Sequence, residues 1–408
     1  MHKLIKTSVL VSTLLYGASV GAASISDGKV KIGVLSDMSG IFSDLSGEGA
    51  VTAARMAVDD FVANEDPAFQ VELITADHQN KTDVAASRAR EWYDTQGVDM
   101  ITDVINSAVA LAVSEVTRDK NRMLMVTGSG STAINNEQCS PNTVFYAWDT
   151  YSLANSLGRT LTSQGHKKWY FVTVDYALGK AIEYDATRAV EQAGGEVVGS
   201  LRHPMGASDF ASFMLQAQSS GANVIGIANA GADLHNAIRV ANEFGISQQQ
   251  KIVGLSASMT DVHALGLATT QGMLLVEGFY WNQDDQARAW SRRFQAKTGK
   301  MPNMLNAATY SAITQYLGAV KRLGSDDADT VMADLRKREF NDLFLKNGRL
   351  RPDGQMIHDV YLFQVKTPKA SQGEWDYYEL VKTIPAERAY QPLSESRCEL
   401  VKRAGNGT

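Results

Sequence analysis

The chain has 408 residues, of which 44% are apolar and 21% charged, and its formal net charge is −6. This length and apolar content suffice for two hydrophobic cores. The acidic balance, with no basic run beyond residues 166–168, argues against a nucleic-acid partner.

The N-terminus has the pattern of a secretory signal. Lys3 and Lys6 precede a mostly apolar core at 9–16, and small residues follow up to Ala23. The apolar core is too short to cross a bilayer, and no later segment reaches the roughly 18 apolar residues of a membrane-spanning helix. We therefore expect residues 1–23 to be a signal peptide cleaved after Ala23, which predicts an exported protein.

Strand and helix patterns alternate from residue 30 onwards. A β-branched apolar strand at 30–35 leads through a loop rich in Ser, Gly and Asp to a helix at 50–61 with one apolar face. A first series follows, with strands at 70–76, 99–103, 123–127 and 143–147 and helices at 83–95, 107–119 and 151–164. A second series has strands at 169–174, 196–201, 223–228, 251–255 and 273–276 and helices at 179–193, 209–219, 232–244 and 260–265. Each series predicts a doubly wound α/β domain with a parallel sheet, whose ligand site lies at the carboxyl ends of the strands.

The last quarter of the chain changes pattern. Three helices are predicted at 284–297, 306–323 and 328–337. Residues 344–366 then have an antiparallel pattern around the turn at 352–354, and the aromatic residues near 375–378 indicate a final strand.

Two cysteines, Cys139 and Cys398, lie in polar segments that do not suit a thiol packed in a core. Because an exported protein reaches an oxidising compartment, we expect a disulfide between them, which would pin the tail to the first domain. The alternative is two unrelated buried thiols.

The sequence motifs of several enzyme classes are either absent or occur in the wrong structural context. Residues 128–133 fit the dinucleotide pattern G-x-G-x-x-A, but they follow the fourth strand and do not open a long helix. The sequence contains no phosphate loop and no G-x-S-x-G elbow, and the histidines have no metal-ligand spacing. We therefore expect no cofactor, no metal site and no catalytic residue.

The opening stretch resembles periplasmic solute-binding proteins of the branched-chain amino-acid (Leu/Ile/Val) type, which serve ATP-driven (ABC) uptake systems. The matching residues are Ile32-Gly33, Met38-Ser39-Gly40, Gly47 and Gly49, and later motifs follow in the family's order. The resemblance implies a type I periplasmic-binding fold, a small-molecule ligand held by hinge closure, a membrane permease as partner, and a monomer.

The resemblance also implies two lobes joined by a three-strand hinge near 148–151, 279–282 and 341–344. Lobe 1 is then expected at 24–148 with 282–342, and lobe 2 at 149–281 with 343–385. The tail at 386–408 is expected to return to lobe 1.

By this resemblance, Ser129 and Ser131 occupy positions where the family offers N–H groups and a hydroxyl to a carboxylate. Small residues let the backbone approach closely, and N–H groups facing a concavity bind anions. Asn106 and Ser107 begin a helix whose N-terminus is a further anion site. The alternatives are a turn that binds nothing and a pair of ordinary helix caps.

Other positions are expected to face the body of the ligand or the hinge. These positions are Phe42, Leu45, Tyr151, Tyr176, Leu178 (where the family usually has tyrosine) and Asn229. The alternative for Phe42 and Leu45 is that they simply pack beneath their loop.

Ser256 is an informative departure from the family's pattern. Amino-acid-binding members of the family carry an acidic residue at or beside this position, which pairs with the ligand's ammonium. A buried ammonium without a partner costs several kcal/mol. The sequence therefore favours an organic acid, aromatic or aliphatic, over an amino acid. The alternatives are a branched-chain amino acid whose ammonium is held by Asp149, Asp175 or Glu277, and a sensor that docks to a signalling receptor.

Overall fold

The computed structural model describes residues 25–405; the proposed signal peptide lies outside them. A first parallel sheet has the strand order β2-β1-β3-β4-β5. Its strands are β1 (Lys29–Ser36), β2 (Gln70–Asp77), β3 (Met100–Asp103), β4 (Met123–Val126) and β5 (Thr143–Phe145). The connecting helices are α1 (Gly47–Glu65), α2 (Thr82–Thr95) and α3 (Ser107–Asp119).

Both faces of this sheet are covered, as the apolar run of β1 predicts. Val34 packs into one core cluster and Leu35 into another. A Cβ at Gly33 would lie 2.4 Å from the Trp92 ring, so glycine is what lets α2 pack onto the strand.

The late helices pack on the first sheet. They are α10 (Asp285–Thr298), α11 (Met304–Leu323) and α12 (Ala328–Leu335). Helix α11 lies against α1, and its buried Thr309 hydroxyl is 2.8 Å from that of Thr127, just after β4. The exact boundaries between the lobes stay a prediction.

A second parallel sheet has the order β7-β6-β8-β9. Its strands are β6 (Lys168–Val174), β7 (Glu196–His203), β8 (Val224–Ala228) and β9 (Lys251–Gly254). The surrounding helices are α4 (Thr150–Ser163), α5 (Ala177–Gln192), α6 (Phe210–Ser219), α7 (Gly231–Glu243), α8 (Met259–Leu265) and α9 (Leu267–Thr270). Two parallel sheets with helices confirm the α/β fold class.

The strand predicted at 273–276 does not join this sheet. As β10 (Leu274–Glu277) it pairs antiparallel with β14 (Val360–Val365), which in turn pairs with β15 (Tyr378–Ile384). A parallel crossover normally needs a full helix lying back along the sheet. Here β9 is followed by helices of 7 and 4 residues, which are too short for that role.

The remaining elements are short. They are β11 (Glu339–Phe340), β12 (Gly348–Leu350), β13 (Met356–Ile357), α13 (Ala386–Ala389) and α14 (Glu399–Gly405). Among residues 25–405, no helix combines the length and apolar character needed to cross a membrane.

The tail returns to the loop between β4 and β5. A disulfide joins Cys139 to Cys398, with 5.7 Å between their Cα atoms, and this confirms the predicted bond. The backbone N–H of Arg397 donates to Asn136 Oδ1 at 3.0 Å, so hydrogen bonding supports the same attachment.

Candidate functional site

A cavity lies where the carboxyl ends of the two parallel sheets face each other. The cavity has a volume of about 40 Å³. Its lining is Phe42, Leu45, Ile105, Gly128, Trp148, Leu153, Tyr176, Leu178, Ala230, Ser256, Ala257, Ser258, Val276, Asn303, Met304 and Leu305. This set contains aromatic and aliphatic groups, two serines and one amide, and no charged side chain.

The loop after β1 supplies Phe42 and Leu45, as expected. The Asp37 carboxylate accepts hydrogen bonds from the backbone N–H groups of Gly40 at 2.7 Å and Phe42 at 3.1 Å. These bonds fix the turn that carries Phe42, whose ring lies 6.4 Å from that of Tyr176 on the opposite sheet. An aromatic pair therefore spans the cleft.

Further contacts close the cleft elsewhere. The Asn303 side-chain amide donates to the Leu45 carbonyl at 2.8 Å and to Thr260 Oγ1 at 3.1 Å, and so connects the two sides. Gly231 has φ +60°, and a Cβ there would lie 2.8 Å from the Ile41 carbonyl oxygen. Only glycine allows this approach without a shift.

Ser256 lines the cavity, and its hydroxyl donates to the Asn229 carbonyl. Asn229 itself is not in the lining. Its Oδ1 is 3.1 Å from His203 Nε2, and its buried Nδ2 has no partner among the described residues. Ser256 and Asn229 are both uncharged, so neither supplies a counter-charge on this side of the cavity.

The predicted carboxylate cradle lies beside the cavity, next to Gly128. The Ser129 hydroxyl donates to the Val104 carbonyl, and the Ser131 hydroxyl accepts from Ala133 N at 3.4 Å. In the part of the chain that the structure describes, the backbone N–H groups of Ser129, Gly130 and Ser131 have no hydrogen-bond acceptor. The side chains are thus engaged, while the backbone donors remain available to an anion.

Asn106 caps α3, and its Oδ1 accepts from Ala108 N at 2.8 Å and Val109 N at 3.2 Å. The neighbouring Ser107 hydroxyl is buried and has no partner within residues 25–405. Neither residue lines the cavity. The role of Asn106 is thus explained by helix capping without a ligand. The Ser107 hydroxyl takes no part in the cap.

The turn before α3 is strained. Asp103 has φ +78° and Val104 has φ +48°, a left-handed conformation that is rare for a β-branched residue. The buried Asp103 carboxylate accepts from Ser46 Oγ at 2.6 Å, and burial raises the pKa of Asp103 to about 6. This turn presents Ile105 to the cavity.

Tyr151 and Glu277 lie outside the lining. Tyr151 is the second residue of α4 and is half-buried, and burial raises its pKa. Glu277 Oε1 accepts from Met259 N at 2.9 Å and from the Tyr378 hydroxyl at 2.7 Å. Burial raises the pKa of Glu277 to about 8, so its carboxyl is mainly neutral at pH 7.

Several lining residues escaped the sequence reasoning. Trp148 belongs to a predicted hinge segment and could have been suspected there, because an aromatic residue follows the fifth strand directly. Leu153 carries no such signal, since it falls near the start of the helix predicted at 151–164. Asn303, Met304 and Leu305 carry none either, since they lie just before the helix predicted at 306–323. Their place in the cavity depends on how the elements pack.

Comparison with known proteins gives a consistent family. Residues 29–373 match the family model described as periplasmic binding protein. A periplasmic binding protein from Burkholderia mallei is 48% identical, with a TM-score of 0.89, and the match covers 91% of this chain and 99% of that one. A branched-chain amino-acid ABC transporter periplasmic ligand-binding protein from Burkholderia xenovorans LB400 is 40% identical, with a TM-score of 0.82 and coverage of 91% and 100%.

More distant proteins share the fold or part of the sequence. A solute-binding protein of an ABC transporter from Rhodopseudomonas palustris BisB5, solved with 3,4-dihydroxybenzoic acid, is 17% identical, with a TM-score of 0.79 and coverage of 88% and 98%. Leu/Ile/Val-binding protein homolog 6 of Brucella abortus is 28% identical over 227 residues, which is 54% of this chain. The chain spans about half (55%) of the length of the curated relatives it matches.

The family model covers most of the chain, and the fold has the two facing parallel sheets of such proteins. The chain therefore belongs to the periplasmic binding protein family and is similar to Leu/Ile/Val-binding proteins.

Proposed function

We propose that this protein is the solute-binding component of an ABC importer and that it captures a small carboxylate-bearing ligand between its lobes. An organic acid, aromatic or aliphatic, is favoured over an amino acid. The lobes are 24–148 with 282–342 and 149–281 with 343–385, and hinge closure traps the ligand because it contacts both lobes only in the closed state.

The absence of a charged side chain from the cavity lining carries the proposal. An α-amino acid brings an ammonium group, which needs a counter-charge once it is buried. An organic acid brings no ammonium, and its carboxylate can be stabilised by neutral N–H and O–H donors. It suits a site that fixes one polar group and surrounds the rest with apolar side chains.

The three acids considered as counter-charges are all engaged or placed elsewhere. Asp149 caps α4 by accepting from Ser152 N at 2.6 Å, and burial raises its pKa to about 7. Asp175 is half-exposed and pairs with Lys180 at 2.9 Å. Glu277 accepts two hydrogen bonds from its own neighbours and is mainly neutral at pH 7.

The donors beside the cavity support a carboxylate. Within residues 25–405, the backbone N–H groups of Ser129, Gly130 and Ser131, which follow β4, and the Ser107 hydroxyl, which follows β3, have no hydrogen-bond partner. Such concave sets of donors bind anions without a full positive charge.

A branched-chain amino acid is the second candidate. The Burkholderia xenovorans protein, described by that ligand class, is 40% identical over nearly the whole chain. The Rhodopseudomonas protein solved with 3,4-dihydroxybenzoic acid has the same fold but only 17% identity. Sequence relationship thus favours the amino acid, whereas the uncharged lining favours the acid.

A thermal-shift screen of the mature protein decides between the candidates. Benzoate, 4-hydroxybenzoate, 2-oxoisocaproate, leucine and valine form a suitable panel, since 2-oxoisocaproate has the leucine side chain without the ammonium. A ligand at 100 times its dissociation constant should add about 2.7 kcal/mol of stability. Stabilisation by leucine or valine, but by none of the acids, would contradict the proposal.

The importer role requires a second experiment, because a sensor would use the same cleft. If the gene's neighbours encode a permease and an ATPase, these proteins, reconstituted in vesicles, should show ATP hydrolysis stimulated by the liganded protein. Stimulation of a receptor instead would support the sensor alternative.

A further inference from the structure

The family resemblance placed Trp148 in a hinge segment but not among the expected ligand-binding residues. It follows β5 and precedes the Asp149 cap of α4, so it lies on the chain segment that passes from the first sheet to the second. Its side chain is 8% exposed and lines the cavity. Trp148 therefore contacts the cavity from the predicted hinge segment.

The Trp148 ring packs directly on the loop that carries the free backbone donors. A Cβ at Gly130 would lie 2.2 Å from the ring, so the indole rests against the bare Cα of that glycine. The backbone N–H of Thr150 donates to the Gly130 carbonyl at 2.7 Å and fixes the loop to the hinge. The ring and the donors of residues 129–131 are therefore held as one unit.

The indole nitrogen of Trp148 is buried and has no hydrogen-bond partner in the described chain. Trp290 and Trp375 also have unpartnered indole nitrogens, but neither of them lines the cavity. A buried N–H without an acceptor costs about 1–3 kcal/mol, so a side chain that lines the cavity and keeps one gains by receiving an acceptor.

We propose that Trp148 determines ligand specificity by donating its indole N–H to an acceptor oxygen of the ligand. This inference rests on the proposed function, because it assumes a carboxylate-bearing ligand in this cavity. The Trp148 donor and the backbone donors of residues 129–131 then hold the two oxygens of one carboxylate. A ligand without an acceptor at this end leaves the N–H unpaired and binds more weakly.

The test is calorimetric titration of benzoate and of leucine into the wild-type protein and into Trp148→Phe, which keeps a ring but removes the donor. We expect Trp148→Phe to lose at least about tenfold in affinity for whichever probe the wild type binds. Trp290→Phe is the matched control, since it removes another buried, unpartnered indole away from the cavity, and its affinity should equal that of the wild type.

A spectroscopic measurement covers the case in which Trp148→Phe does not fold. The wild type has six tryptophans, and their indole ¹⁵N–¹H resonances can be followed while the probe is added. One resonance, identified by its absence from the spectrum of Trp148→Tyr, should move downfield on binding.

The outcomes separate the two claims. Unchanged affinity in Trp148→Phe, or six unmoved indole resonances with bound probe, would overturn the role of Trp148 while leaving the proposed function intact. Binding of leucine alone, with the expected loss in Trp148→Phe, would support the role of Trp148 and overturn the preference for organic acids. A wild type that binds no carboxylate would overturn both.

Discussion

The two sides of the cavity use different chemistry. Beside the cavity and outside its lining, the first sheet holds the strained turn at Asp103 and Val104, the backbone donors of residues 129–131 without acceptors, and the buried Ser107 hydroxyl. The second sheet presents Tyr176, Leu178 and Ala230, with Ser256 already bonded to its own neighbour. The first side is built to fix a polar group, and the second is built to cover an apolar body. Ligand should therefore bind the first side before the lobes close.

The largest expected effect concerns the attachment of the tail to the first side. Changing both Cys139 and Cys398 to Ser removes a link between residues that are 259 apart in sequence, for which the chain-entropy model gives a loss of roughly 5 kcal/mol at most. Urea unfolding measures the loss. Because neither cysteine lines the cavity, ligand affinity at low temperature should stay unchanged. A stability equal to that of the wild type would show that the tail contacts suffice alone.

The polar side is tested by Ser131→Ala. If its hydroxyl turns to a bound carboxylate, ligand affinity should fall by about 1.5–3 kcal/mol, because a hydrogen bond to a charged group is lost. Calorimetry with the best ligand of the screen measures this. Ser258→Ala, on the opposite wall, is the comparison variant and should have a smaller effect. Equal losses would remove the distinction between the two sides.

Closure is tested by Gly231→Ala. The new methyl group would lie 2.8 Å from the Ile41 carbonyl oxygen, so the closed state should become less favourable and affinity should fall by about 1.4 kcal/mol, or tenfold. Gly221→Ala is a matched control, since Gly221 also has a positive φ, +71°, but nothing lies within 4 Å of its Cβ position. Both variants should lose similar stability, and only Gly231→Ala should lose affinity. If Gly231→Ala and Gly221→Ala bound the ligand equally well, the lobes would be shown to accommodate the new methyl group at residue 231 without loss of affinity.

Much of the architecture follows from periodicity, and much of the site does not. The buried run of β1 and the alternation after it predicted both parallel sheets, whereas β10 was placed in the wrong sheet because a four-residue strand does not reveal its partner. Among the predicted site residues, five line the cavity: Phe42, Leu45, Tyr176, Leu178 and Ser256. Their contact with a ligand stays a prediction. Asn303 and Trp148 depend on the packing of distant segments, which no local pattern encodes.

A pH-dependent effect on stability concerns the buried acid Glu277 beneath the second side. Burial raises the pKa of Glu277 from 4.5 to about 8, so the unfolded chain releases its proton more readily than the folded one. Its contribution to stability is therefore fully present below about pH 4.5 and is lost as pH rises through about 8. Gln can accept the same two hydrogen bonds and does not titrate, so the stability of Glu277→Gln should rise relative to that of the wild type from about pH 5 to pH 8 and then level off.

Denaturation midpoints at several pH values measure this difference. The result also bears on the ligand, since a neutral Glu277 cannot balance an ammonium. Loss of leucine binding in Glu277→Gln would restore the amino-acid hypothesis. Parallel pH profiles of the two proteins would show that Glu277 is ionised in the fold.

The position of the disulfide along the chain has a consequence for biogenesis. Cys398 follows every strand of both sheets, so synthesis from the N-terminus delivers it only after all the strand-forming segments have emerged. Both lobes can therefore acquire their topology as a reduced chain, and oxidation secures a fold that already exists. A cell that oxidises cysteines slowly would still make the correct topology, but for a time it would hold a form more accessible to proteases.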